Sequence, residues 1–173
     1  MDTFVFVQIF GVLTLILFVV SLQQRKKENF LLLQTFGTLL FIIQYILTGK
    51  ITGAIIFIIV AIRGLVFYYY KRKNLKPSLK ILVGFQIILL ISTYFSWQNL
   101  LSIIPYTATA VKTWGTWQDD MKWTRRASMF CQSFMIIYNL SASMYTGALT
   151  EIFALTSTLV AIWRYDFRRG KVQ

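Results

Sequence analysis

Long apolar runs broken by short polar ones set the pattern of this chain. A helix needs about 20 mainly apolar residues to cross a bilayer. Runs of about that length fall at roughly 4–21, 29–48, 51–69, 79–96, 98–115, 123–142 and 145–164. The fourth and fifth are the shortest or most polar. The pattern predicts an all-α membrane protein with seven transmembrane helices. Strands fit poorly, because runs such as Ile55 to Ala61 are apolar throughout and show no alternation. Connections as short as Thr48-Gly49-Lys50 force successive helices to run antiparallel. The first run follows Met1-Asp2 with no basic segment before it and no small-residue cleavage site after it. It reads as a span and not as a leader.

The charged residues orient that arrangement. There are 18 Lys and Arg against 6 Asp and Glu, a net charge of +12. If the spans alternate in direction, one side receives Arg25 to Lys27, Lys71 to Lys73, Lys76, Lys80, Lys122, Arg125, Arg126, Arg164, Arg168, Arg169 and Lys171. That is 15 of the 18, while the opposite side receives Lys50 and the spans hold Arg63 and Lys112. Positive charge collects in the cytoplasm, so the N-terminus is expected outside and the C-terminus inside. The excess charge then reflects topology and contact with anionic lipid, and nucleic acid is not an expected partner.

Composition removes several chemistries. The chain is 57% hydrophobic and 14% charged, too apolar for a soluble domain. Having no histidine, it has no imidazole for metal ligation or proton transfer, and its one cysteine, Cys131, has no partner for a disulfide within the chain. Neither HExxH nor a Gly-rich phosphate loop is present, and the adjacent carboxylates Asp119-Asp120 lack a base beside them. The expectation is a protein that is not an enzyme and carries no cofactor or metal.

An offset of 94 residues lays the first three spans on the last three. Thr52-Gly53-Ala54 falls on Thr146-Gly147-Ala148, and Ile42-Ile43 on Ile136-Ile137. Three spans end on the side opposite their start, so a fourth must bring the chain back. The reading is a single transmembrane domain arranged 3+1+3: two parallel three-helix repeats, about 4–69 and 98–164, with a linker helix at about 79–96. Transporters built from parallel repeats hold substrate between the repeats and work by alternating access.

This arrangement resembles the SWEET/PQ-loop superfamily of transporters. The second half is more closely similar to the YgjV-type bacterial inner-membrane proteins. The residues that carry this are Pro105-Tyr106-Thr107-Ala108-Thr109, Lys112-Thr113-Trp114, Tyr138-Asn139, Thr146 to Glu151, and Trp163-Arg164. The resemblance implies a multi-pass protein of the bacterial cell inner membrane. In SWEET proteins an asparagine pair faces the pore from the third and seventh spans; the equivalent places here are Phe57 and Glu151.

Polar residues within the spans give the candidate site. Residues four, seven and eleven apart share one helix face. In the sixth span Ser128, Gln132, Met135 and Asn139 form such a stripe, and their repeat partners are Gln34, Thr38, Phe41 and Tyr45. In the seventh span Gly147, Glu151, Ala154 and Thr158 do the same. One reading is interhelical hydrogen bonding; the other is a water-accessible cavity that binds substrate through Gln34, Thr38, Tyr45, Gln132 and Asn139. Charges inside a membrane face protein or water, which adds Glu151, Lys112 and Arg63 to the substrate-binding candidates. Glu151 is expected near the outer mouth and Lys112 near the inner one, with snorkelling as the alternative for Lys112 and Arg63. Pro105 is the candidate hinge or gate, because a proline inside a helix frees a carbonyl one turn earlier, at Leu101. The leading expectation is transport of a small polar or charged metabolite; the alternative is a non-transporting scaffold or subunit of a membrane complex. An oligomer is compatible with either.

Overall fold

Each apolar run folds as a helix, the conformation that closes all backbone hydrogen bonds within one segment. A computed structural model describes residues 3–47, 51–95, 97, 100–141 and 145–167. Side chains are described for the same residues except 3–5, 45, 51–53, 55–56 and 145–147. The helices are α1 (Thr3–Leu22), α2 (Lys27–Leu47), α3 (Ile51–Arg72), α4 (Leu79–Phe95), α5 (Ile103–Trp117), α6 (Met121–Ser141) and α7 (Tyr145–Ile162). A 3-10 turn, Leu100–Ser102, leads into α5, and a π turn, Trp163–Phe167, continues α7. Seven α-helices and no strand occur among the described residues.

Among those residues, no helix is long and apolar enough to cross a membrane. Taken whole, α1 has 20 residues without a charge, or about 30 Å at 1.5 Å per residue. By contrast α5, with 15 residues, is only about 22 Å long.

The first unit, Met1–Leu75, is built on α2, which packs against both α1 and α3. Small residues set the helix spacing. A Cβ on Gly37 would lie 2.6 Å from the Phe18 ring, and one on Gly64 would collide with the Thr35 hydroxyl. Phe41 bridges Phe18 and Phe57, at ring-centroid distances of 5.6 and 5.1 Å. The end of α3 is closed by Asn74, whose φ of 53° is the left-handed conformation that asparagine tolerates. The Leu75 amide then donates to the Tyr70 carbonyl at 2.9 Å, and the Asn74 amide to Lys71 at 3.0 Å.

The second unit, Lys76–Gln173, holds α4 as well as the last three helices. Here α6 packs against α5 and α7, and α4 lies along α5. Asp120 caps α6 by accepting the Lys122 amide at 2.9 Å. Across the α5–α6 hairpin, Gly115 lets the backbones approach, and the Thr124 hydroxyl donates to the Gly115 carbonyl at 2.9 Å. On α4, the Gln86 amide nitrogen donates to the Ala110 carbonyl of α5 at 3.0 Å.

Burial recurs between the units at the 94-residue offset. Thr14 and Ala108, Leu22 and Thr116, Phe30 and Thr124, Leu31 and Arg125, and Phe67 and Ala161 are buried pairs. Ile43 and Ile137, Ile58 and Ile152, and Leu65 and Leu159 are exposed pairs. At these pairs the inward or outward direction matches even where the residue types differ.

Candidate functional site

The α6 stripe points inward. Ser128, Gln132 and Asn139 are all buried, each on the face that meets a neighbouring helix. The Thr158 hydroxyl of α7 lies 2.8 Å from the Gln132 side-chain oxygen and 2.9 Å from the Ala154 carbonyl of its own helix. A threonine hydroxyl carries one proton, so it donates to one of these at a time. The contact ties α6 to α7 through a polar pair in which both residues are buried. Ser128 Oγ is buried with no hydrogen-bond partner among the described residues.

In the first unit, Thr38 is buried and donates to the Gln34 carbonyl at 2.8 Å, one turn back on α2. Gln34 itself is half-buried. The Tyr45 side chain lies outside the described residues. Arg63 is buried within the same unit, on α3. Thr38 and Gln132 stand 94 residues apart, as do Arg63 and Ser157; all four are buried.

Glu151 and Lys112 are both half-buried. Because α5 starts at Ile103, and not near residue 98, Lys112 lies about 14 Å along α5 and Glu151 about 9 Å along α7. Lys112 is thus nearer the C-terminal end of its helix, and Glu151 nearer the N-terminal end of its own.

The same shift changes the setting of Pro105. It occupies the first turn of α5, where a helix has no acceptor for the missing N–H. Pro105 thus falls at the third position of α5, just after the 3-10 turn Leu100–Ser102. The Thr107 hydroxyl donates to the Ile103 carbonyl at 2.9 Å within that turn.

A further polar cluster, which the sequence reading passed over, sits where the start of α6 meets the end of α7. The Arg125 guanidinium donates to Asp166 at 2.7 Å, with side chains only 4% and 7% exposed. It also lies over the Tyr165 ring, 4.9 Å from its centroid. Beside this pair is a cavity of about 580 Å³. The available signal was Asp166 itself, a lone acid between Arg164 and the Arg168-Arg169 pair. Reading every basic residue there as a topology marker hid a buried ion pair.

The helices carry polar side chains inward on α2, α3, α5, α6 and α7, and no group of three or more His, Cys, Asp and Glu suited to a metal occurs among the described residues. No curated protein and no solved structure matches the chain. The family model described as bacterial inner membrane protein, Imp-YgjV, matches residues 5–169. This chain belongs to the Imp-YgjV family of bacterial inner membrane proteins.

Proposed function

We propose that the protein is a transporter of a small polar or charged metabolite, working by alternating access between two three-helix repeats. The observation that carries this reading is the inward burial of polar residues at repeat-equivalent positions, Thr38 with Gln132 and Arg63 with Ser157. Buried polar groups in a membrane protein are costly and tend to mark a pathway. Matched positions in two repeats are where a parallel-repeat transporter builds its site. Glu151 and Lys112 add half-buried ionisable groups that suit a zwitterion or a small ion. A SWEET-like mode of action belongs to the same proposal, with the N-terminus outside and the C-terminus in the cytoplasm.

Uptake of radiolabelled amino acids, sugars and organic anions into proteoliposomes tests it. The expected outcome is saturable uptake of one class, lost in Asn139→Leu and in Gln132→Leu while both variants insert and fold. Unchanged uptake in both folded variants removes these residues from the site. Uptake of no class at all sinks the transport reading.

A second reading, a non-transporting subunit, is favoured by the Thr158–Gln132 contact. There the glutamine is engaged in joining two helices of one unit.

A further inference from the structure

The geometry points to a binding site for one anionic phospholipid in the groove between the start of α6 and the end of α7. The cavity there, about 580 Å³, falls within the range of roughly 300–1,000 Å³ typical of ligand sites. From α6 it is lined by Lys122, Arg126 and Met129, which the four- and three-residue spacings place on one helix face. Leu159 and Ile162 approach from α7, and Asp166 and Phe167 from the π turn.

Charge decides the sign of the ligand. Lys122 and Arg126 are exposed, while Asp166, the one acid in the lining, is held by the buried Arg125. Arg125 balances the charge of Asp166, whose second carboxylate oxygen is buried without a hydrogen-bond partner among the described residues, and the two outer cations give the groove a net positive mouth. An anion on Lys122 and Arg126 would form charge-assisted hydrogen bonds, and an arginine can grip phosphate with two parallel donors.

The rest of the lining argues for a lipid over a bare ion. Leu159 and Phe167 are large apolar side chains exposed beside the cations. Leu159 also continues an outward apolar face of α7 through Ile152, Phe153 and Val160. An acyl chain can follow that face while its phosphate stays at the basic end. Trp123 and Trp163 stand exposed nearby, as side chains do at a membrane–water boundary. This site needs only residence in the membrane, so it stands or falls apart from the transport proposal.

Native mass spectrometry of the full chain, released from nanodiscs of mixed phosphatidylglycerol and phosphatidylcholine, tests it. The expected result is one retained phosphatidylglycerol, chosen over phosphatidylcholine. In K122Q/R126Q that retention falls at least ten-fold with thermal unfolding unchanged, because both side chains are exposed. The equally charge-depleted K71Q/K73Q retains the lipid, and millimolar inorganic phosphate does not displace it. Equal retention in wild type and K122Q/R126Q overturns the site. Equal loss in K71Q/K73Q means charge alone and also overturns it. Displacement by inorganic phosphate shows an anion site without a lipid, which defeats the proposal as stated.

Discussion

Gly115 and Gly84 lie inside helices of the same unit, in opposite surroundings. A Cβ at Gly115 would run into Ala127 and come within 2.9 Å of the Trp123 carbonyl, whereas one at Gly84 meets nothing within 4 Å. Gly115→Ala must therefore push α5 from α6 and is expected to cost about 1–3 kcal/mol. Gly84→Ala should be neutral or stabilising by up to about 1 kcal/mol, since alanine is the better helix former. Reversible unfolding in mixed micelles measures both; equal effects would show that the hairpin has slack. Thr158→Val removes the hydroxyl shared with Gln132 and should cost about 1 kcal/mol in the same assay. Asp166→Asn takes the carboxylate from a buried arginine, and losses of about 3–5 kcal/mol accompany such changes. R125M/D166L, which removes both charges, should recover most of that loss. If the double variant is no better than Asp166→Asn, the pair is not the source of the effect.

At the scale of helices, apolar run length is a sound guide where the end signals are plain. The predicted third and fourth runs start where α3 and α4 start, and the remaining ends mostly agree within two or three residues. The exception is α5, predicted from about 98 and found from Ile103 after a 3-10 turn. The predicted run reaches back past Leu100 and Leu101, but run length ignores that proline is favoured in a first helical turn. Once Pro105 is given that place, the helix start moves. Topology is testable at this scale. Cys131 is buried and gives a quiet background for labelling. A membrane-impermeant maleimide added outside should reach Lys50→Cys and Ser143→Cys, and should miss Lys73→Cys and Lys171→Cys. Labelling of Lys73→Cys from outside would overturn the seven-span orientation.

For the molecule as a whole, the order of helices and the family were legible in the sequence, because both are carried by hydropathy and by local motifs. The direction of each polar side chain was legible only in part. Helical spacing correctly placed Ser128, Gln132 and Asn139 on one inward face, but it could not reveal that Gln132 meets Thr158. Nor could it tell a cytoplasmic basic marker from the buried Arg125, because a charge count carries no information about burial. The burial pattern shared at the 94-residue offset uses different residues at many positions, Leu31 against Arg125 among them. Burial thus matches at this offset at positions where residue type does not. If the halves are true repeats, residues 4–69 of an experimental structure will superpose on 98–163 by a rotation about the membrane normal. Opposite orientation of the two would reduce the offset to chance.

Many of the hydroxyls in these helices donate to a carbonyl of the preceding turn, as Thr35, Thr107, Thr116 and Thr156 do at 2.7–2.9 Å. A proton held in that way asks nothing of the neighbouring helix. Such a position can drift between threonine, serine and valine over evolutionary time with little consequence. Thr158 has less freedom, because a partner on another helix depends on it. Two equally polar residues can thus leave opposite marks in a map of tolerated substitutions. In such a map the shared hydroxyls would stand out as fixed points among interchangeable ones.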